Sequence, residues 1–178
     1  MRYLFILLVV SGLMSAAIGQ TSSGVGAGNG KPPVKKQLPY TISPAVGWEK
    51  IDTLIGTSLI SIMISPADSV GDLFRENMNI IYEDVGAMEM DEYFKLSEEN
   101  LNTLPDLQKL GITDTVLNGM DFRILHYSFS AEYFEAEVLA YITIFKGKAY
   151  VITCSCLKGE MARWKKTYKE MVATFKLE

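Results

Sequence analysis

Asn118-Gly119 lies between two runs in which apolar and polar side chains alternate, Thr113 to Leu117 and Met120 to Ser130. A two-residue connection between such runs needs positive φ at both central positions, which Asn and Gly tolerate. The dipeptide therefore predicts a type I′ turn and an antiparallel hairpin. Lys146-Gly147 repeats the device between Tyr133 to Phe145 and Lys148 to Leu157. Successive hairpins place antiparallel strands side by side, which sets this chain apart from a doubly wound parallel sheet.

Around these hairpins the hydrophobic period switches between two and 3.6. Trp48 to Asp52 and Leu59 to Ser65 read as strands on either side of a turn at Gly56. The second presents Ile60, Ile62 and Ile64 on one face and Leu59 and Met63 on the other, so it belongs in the interior of a sheet. Asn77 to Val85 continues as a strand. Glu89 to Thr103 reads as a helix with Met90, Tyr93, Phe94, Ser97, Leu101 and Leu104 at helical spacing, ended by Pro105. A second helix starts at Glu160 and carries Met161, Trp164, Tyr168, Met171, Val172 and Phe175 on one stripe, which must bury itself on the sheet. Hairpins with one helix inserted and another at the end give an α+β fold, an antiparallel β-sheet flanked by helices.

The N-terminus follows different rules. Arg2, the apolar run from Tyr3 to Val10 with Leu13 and Met14, and the small residues of Ala17-Ile18-Gly19 predict a secretory signal peptide over residues 1–19, cleaved before Gln20. Tyr3 to Ile18 is too short and too interrupted to span a bilayer, so no transmembrane anchor is expected after cleavage, and the product is exported, periplasmic or secreted. Residues 20–38 are rich in Gly, Pro and Lys and poor in large apolar groups, which predicts a flexible linker. Their Gly-rich stretch ahead of Lys31 lacks the spacing, the Ser or Thr, and the preceding strand of a phosphate loop. Residues 39–178 then form one domain.

Charge narrows the partners. The 178 residues hold 17 Lys and Arg against 21 Asp and Glu. Arg2, Lys31, Lys35 and Lys36 fall in the first 38 positions, which contain no acid. Taking those four from 17 leaves the domain with 13 basic and 21 acidic groups, or -8. Nucleic acid is excluded as a partner, because phosphate neutralisation needs a basic face. A basic partner suits this charge better.

Pro44, Gly47-Trp48, the stretch Phe74-Arg75-Glu76-Asn77-Met78-Asn79-Ile80-Ile81-Tyr82-Glu83-Asp84, the Asn118-Gly119 hairpin, Lys146-Gly147-Lys148-Ala149-Tyr150-Val151-Ile152-Thr153 and a closing amphipathic helix ending in Phe175 resemble the PsbP-like superfamily. This group includes the extrinsic PsbP proteins of photosystem II, the DcrB-like bacterial envelope proteins and a Ran-binding nuclear import factor. The resemblance covers about residues 40–178. It implies an α/β/α sandwich and a role in binding another macromolecule without catalysis, while the cation-binding residues of PsbP proteins find no counterpart here position by position. One fold hosts many functions, so the site must be argued from its residues.

Catalytic side chains are scarce. His126 is the single histidine and stands in a strand with no second imidazole to share a metal, and no Gly-x-Ser-x-Gly elbow accompanies it. Cys154 and Cys156 project from the same face of one strand, about 6.6 Å apart by the strand rise, at the far edge of disulfide geometry, and are expected as free buried thiols. No metal, no cofactor and no enzymatic activity are expected. Tyr133, Glu135, Glu137 and Tyr141 alternate along one strand, and an exposed face of acids and aromatics there would suit a basic protein partner, whereas a solvated strand end needs no function. The alternatives are a small-ligand carrier with a cavity between helix and sheet, a groove lined by the methionines Met63, Met78, Met88, Met90, Met120, Met161 and Met171, or an enzyme using His126 or clustered carboxylates.

Overall fold

The computed structural model describes residues 38–55 and 58–178. The expected signal peptide, residues 20–37 of the expected linker and the expected turn at Gly56 lie outside the described residues. In chain order the elements are β1 (Tyr40–Thr41), β2 (Glu49–Ile55), β3 (Ser58–Ile64), β4 (Asn77–Asp84), α1 (Met90–Leu101), β5 (Gln108–Leu117), β6 (Met120–Ser130), β7 (Glu135–Phe145), β8 (Lys148–Leu157), α2 (Met161–Val172) and β9 (Lys176–Leu177). Seven strands make one antiparallel sheet in the order β2-β3-β4-β8-β7-β6-β5, and β1 pairs with β9.

Both predicted hairpin turns have the backbone they require. Asn118 and Gly119 sit at φ 51 and 74, and Lys146 and Gly147 at φ 49 and 72, the positive values of a type I′ turn. Gly147 is doubly constrained, since its carbonyl accepts from Val85 N and Gly86 N at 2.8 and 3.1 Å. A Cβ at Gly147 would lie 2.9 Å from the Gly86 carbonyl oxygen.

The period-two pattern sorts the sheet into two apolar faces. On one, Met63, Met78, Ile80, Phe122, Leu139, Tyr141, Ile152 and Cys154 pack with Met161, Tyr168, Met171 and Val172 of α2 and with Phe175. On the other, Leu125, Tyr127, Val138, Ala140, Ile142 and Val151 pack with Tyr93, Phe94 and Leu101 of α1. The helices thus cover opposite faces, and the fold is the α+β sandwich that the hairpins and helical stripes predict. β3 lies between β2 and β4 with Ile60, Ile62 and Ile64 buried on one side and Met63 on the other, as its two apolar faces require.

Some boundaries differ from the sequence reading. β5 starts at Gln108 rather than Thr113, because its first residues alternate poorly and a bulge interrupts the register between Lys109 and Gly111. Both helices are shorter than their stripes. Phe175 lies beyond the end of α2, fully buried against Tyr40, Phe122 and Tyr150. Trp164 is half-buried rather than sealed on the sheet, its ring edge-on to Trp48 at 5.9 Å with the Arg163 guanidinium 4.8 Å over it. Leu38, at the end of the expected linker, already packs against the α2-side core.

Candidate functional site

With helices on both faces, the ends and edges of the sheet carry the exposed large apolar side chains. At one end β3 passes to β4 through residues 65–76, β6 turns into β7 at 131–134, and β8 turns into α2 at 158–160. The first loop is pinned at its base, where Ser65 N donates to the Glu76 carbonyl at 2.8 Å, Ser65 Oγ to Glu76 Oε2 at 3.0 Å and Arg75 Nε to the Ser65 carbonyl at 2.6 Å. Burial raises the pKa of the Glu76 carboxyl above its usual range, and its bond from Ser65 partly offsets that. Within the loop, Asp72 accepts from the backbone N–H groups of Asp68 and Phe74.

Three contacts knit the neighbouring segments to this loop. Asp68 pairs with Arg163 of α2 at 3.1 Å, Phe74 packs edge-on against Phe134 at 4.9 Å, and Pro66 lies against Gly47. The anchored rim holds four large apolar side chains in water. Val46 and Val70 are as exposed as in a free chain, and Leu73 and Tyr133 are 86% and 85% exposed. Isolated apolar residues on a surface are ordinary, but these four stand on adjoining loops at one end of a sheet, the setting in which exposed apolar groups mark contact sites.

The four residues singled out from the sequence are not one face. Tyr133 stands at the rim, its hydroxyl donating to Glu132 Oε1 at 2.7 Å. Glu135 is exposed and paired with Lys158 at 2.8 Å. Glu137 is only 8% exposed and Tyr141 is buried in the α2-side core. Strand alternation placed Glu135, Glu137 and Tyr141 on the same side correctly, but that side is covered by α2 and the turn leading into it, so only its outer end meets water. An exposed acidic and aromatic face running from Tyr133 to Tyr141 is therefore absent.

Glu137 has an internal role instead. His126 Nε2 lies 2.7 Å from its Oε1, a distance at which the ring N–H donates to the carboxylate, and Gly159 N donates to Oε2 at 2.8 Å. The carboxylate thus joins β6, β7 and the turn into α2. Cys156 stands beside it, its pKa pushed up to about 12 by burial and by the nearby carboxylates of Glu137, Glu76 and Glu160. Cys154 is raised too, chiefly by burial. Both thiols are free and buried, as expected, and neither has the thiolate character of a nucleophile.

No group of three or more His, Cys, Asp or Glu side chains among the described residues is placed to hold a metal ion. The methionines do not line a groove. Met63, Met78, Met161 and Met171 are buried in the α2-side core, and Met88, Met90 and Met120 lie half-buried at its margins or on the α1 side. A hollow of about 350 Å³ opens between the start of α1 and the β5–β6 hairpin, lined by Met90, Asp114, Val116, Asp121, Phe122 and Arg123. No described helix is long and apolar enough to cross a membrane.

No family model matches the sequence, and no curated protein matches it. Solved structures do. LpqN of Mycobacterium tuberculosis, described as involved in cell envelope biogenesis, superposes with a TM-score of 0.59 at 13% identity, covering 78% of this chain and 82% of its own. A Pseudomonas aeruginosa protein of unknown function, described as a putative regulator, gives 0.57 at 14% identity over 70% of this chain and 94% of its own. Cyanobacterial PsbP (CyanoP) from Synechocystis gives 0.53 at 12% identity over 84% and 99%. At these identities the likeness is one of fold, and the fold is the PsbP-like one that the sequence resembles.

Proposed function

We propose that this chain is an exported, non-enzymatic accessory domain whose loop rim engages another protein of the cell envelope. The observation that carries the reading is the exposure of Val46, Val70, Leu73 and Tyr133 on adjoining, braced loops at one end of the sheet. A patch that is apolar and held in place loses little entropy on binding, which favours a preformed contact surface. The histidine and the thiols are otherwise engaged: His126 is bound to Glu137, and Cys154 and Cys156 are buried. Export rests on the signal-peptide pattern of residues 1–19, and the envelope setting on the likeness to LpqN, whose description names envelope biogenesis.

Site-specific photo-crosslinking in intact producing cells tests this. A p-benzoylphenylalanine in place of Tyr133 should give a discrete adduct with another protein, while the same group in place of Lys165, exposed on α2, should not. The chain recovered in the adduct should begin near Gln20. Equal labelling from both positions, or none from position 133, overturns the rim as the working surface. The hollow beside α1 supports a small-ligand carrier as a second reading, but it is open and bordered by Asp114, Asp121 and Arg123, unlike the enclosed apolar cavity that an apolar cargo needs.

A further inference from the structure

The outer edge of β5 lies across the sheet from β2, and its side chains form a pattern the rim does not use. Among the described residues β5 pairs with β6 alone, so the N–H and C=O groups on its far side have no described strand beside them. Eight of its ten residues are exposed, all but Thr115 and Leu117. The bulge at Lys109/Gly111 disturbs the first part, but from Gly111 to Leu117 the register with β6 runs without a shift. Along this regular stretch Ile112, Asp114 and Val116 stand opposite Leu125, Arg123 and Asp121. Leu125 belongs to the α1-side core and Arg123 reaches Asp91 of α1, so all three β5 side chains project on the α1 side. Ile112 and Val116 are 51% and 64% exposed.

Charge on this side is negative. Arg123 binds Asp91 at 2.5 Å and Asp114 at 3.0 Å, and its guanidinium stands 5.3 Å over the Phe94 ring. One cation thus serves two acids, and Asp121 adds a third carboxylate at the same hollow. The Asp114 side chain remains 71% exposed despite its bond, which leaves its outer lone pairs open to a second cation.

The same pattern selects the occupant. If a second copy added its β5 antiparallel to this one with Ile112 facing Val116, Asp114 would face Asp114, because it lies midway between them. Like charges directly opposite destabilise a strand pair, so the register that satisfies the apolar residues is blocked for self-association. We propose that the β5 edge is a docking site for an extended segment of a partner protein that presents apolar, basic and apolar side chains at alternate positions. The segment would add as an eighth strand. Its two apolar residues would cover Ile112 and Val116, and its basic residue would lie beside Asp114 at the mouth of the hollow. This surface is separate from the loop rim, so either can fail without the other.

The probe is a synthetic peptide, acetyl-Thr-Val-Thr-Lys-Thr-Val-Thr-amide, titrated against the purified chain. Amide hydrogen exchange should slow at residues 112–117 when it binds. Replacing the peptide lysine by Glu should weaken binding by about tenfold or more. Ile112→Lys, at an exposed position that leaves the fold unaltered by circular dichroism, should abolish binding, and Asp114→Lys should reverse the preference in favour of the Glu peptide. Equal affinity for the Lys and Glu peptides, or binding that survives Ile112→Lys, overturns the proposal. So does absence of binding, and so does concentration-dependent dimerisation that protects β5, which would assign the edge to a second copy.

Discussion

Replacing Glu137 by Ala removes a carboxylate that only 8% of the residue's surface connects to water and that accepts from His126 at 2.7 Å and from Gly159 N at 2.8 Å. Each hydrogen bond to a charged acceptor is worth about 1.5–3 kcal/mol, and a buried donor left without a partner costs about 1–3 kcal/mol. Two terms offset part of this. His126 keeps 31% of its side chain in solvent and recovers water, and the desolvation of the carboxylate is no longer a cost. The net expected loss is about 2–4 kcal/mol. Urea denaturation followed by tryptophan fluorescence measures it. With m near ~1–3 kcal/mol/M, the midpoint should fall by about 1–2 M. Glu135→Ala, at an exposed ion pair, should change stability by no more than ~0.5 kcal/mol. A double-mutant cycle with His126→Ala should return a coupling of about 1 kcal/mol. A loss below ~0.5 kcal/mol for Glu137→Ala would mean that the carboxylate is solvated and that the turn into α2 stands without it.

Phe175→Ala should cost about 3–5 kcal/mol by the same assay, because the ring is fully buried and meets Tyr40, Phe122 and Tyr150 at 5.5, 6.3 and 5.8 Å; a loss under ~1 kcal/mol would place the C-terminal strand outside the core. At neutral pH Cys154 and Cys156 should resist alkylation in the folded chain and react fully after denaturation, and rapid native labelling would contradict their burial. Stability should fall as pH rises from about 9 to 12. The folded chain holds the Cys156 proton up to about 12 while the unfolded thiol releases it near its ordinary value of 9.0, so the unfolded state binds fewer protons across that window. The raised tyrosines Tyr40, Tyr141 and Tyr168 act in the same direction, and a pH-independent urea midpoint over this range would refute the assignment.

The hairpins were legible because each depends on two adjacent residues whose backbone demands are local. Asn118-Gly119 and Lys146-Gly147 fix their turns wherever the rest of the chain goes. The helices were legible through their stripes, although the ends were not: Phe175 continues the spacing of Met171 and Val172 and so reads as helix, yet it leaves α2 to seal the core beside Tyr40. β1 and β9 are two residues each and have no period to detect. They form because Tyr40 and Leu177 meet in space.

The candidate surfaces were harder to read for a physical reason. Alternation tells which side of a strand a residue occupies, but exposure depends on what lies over that side, and this is set by elements distant in sequence. Glu135 and Glu137 have the same parity and the same chemistry, yet one pairs with Lys158 in water while the other is sealed under the turn at Gly159. The order of strands decides the rest. Nothing local distinguishes Ile112 and Val116 from Ile142 or Val151; β5 is an edge and β7 and β8 are interior, so the first pair faces solvent and the second lies under α1. At the sheet end opposite the rim, β1 pairs with β9, and the Asn118 side chain donates to the carbonyls of Ala173 and Phe175. The β2 edge alternates charge, with Lys50 and Asp52 in an ion pair, which blunts it against strand addition. Leu54 on β2 and Phe145 at the β7–β8 turn are exposed as well, but seven of the nine large apolar side chains that the described residues leave in water lie on the loop rim or on β5, and it is there that substitutions should alter binding while leaving stability unchanged.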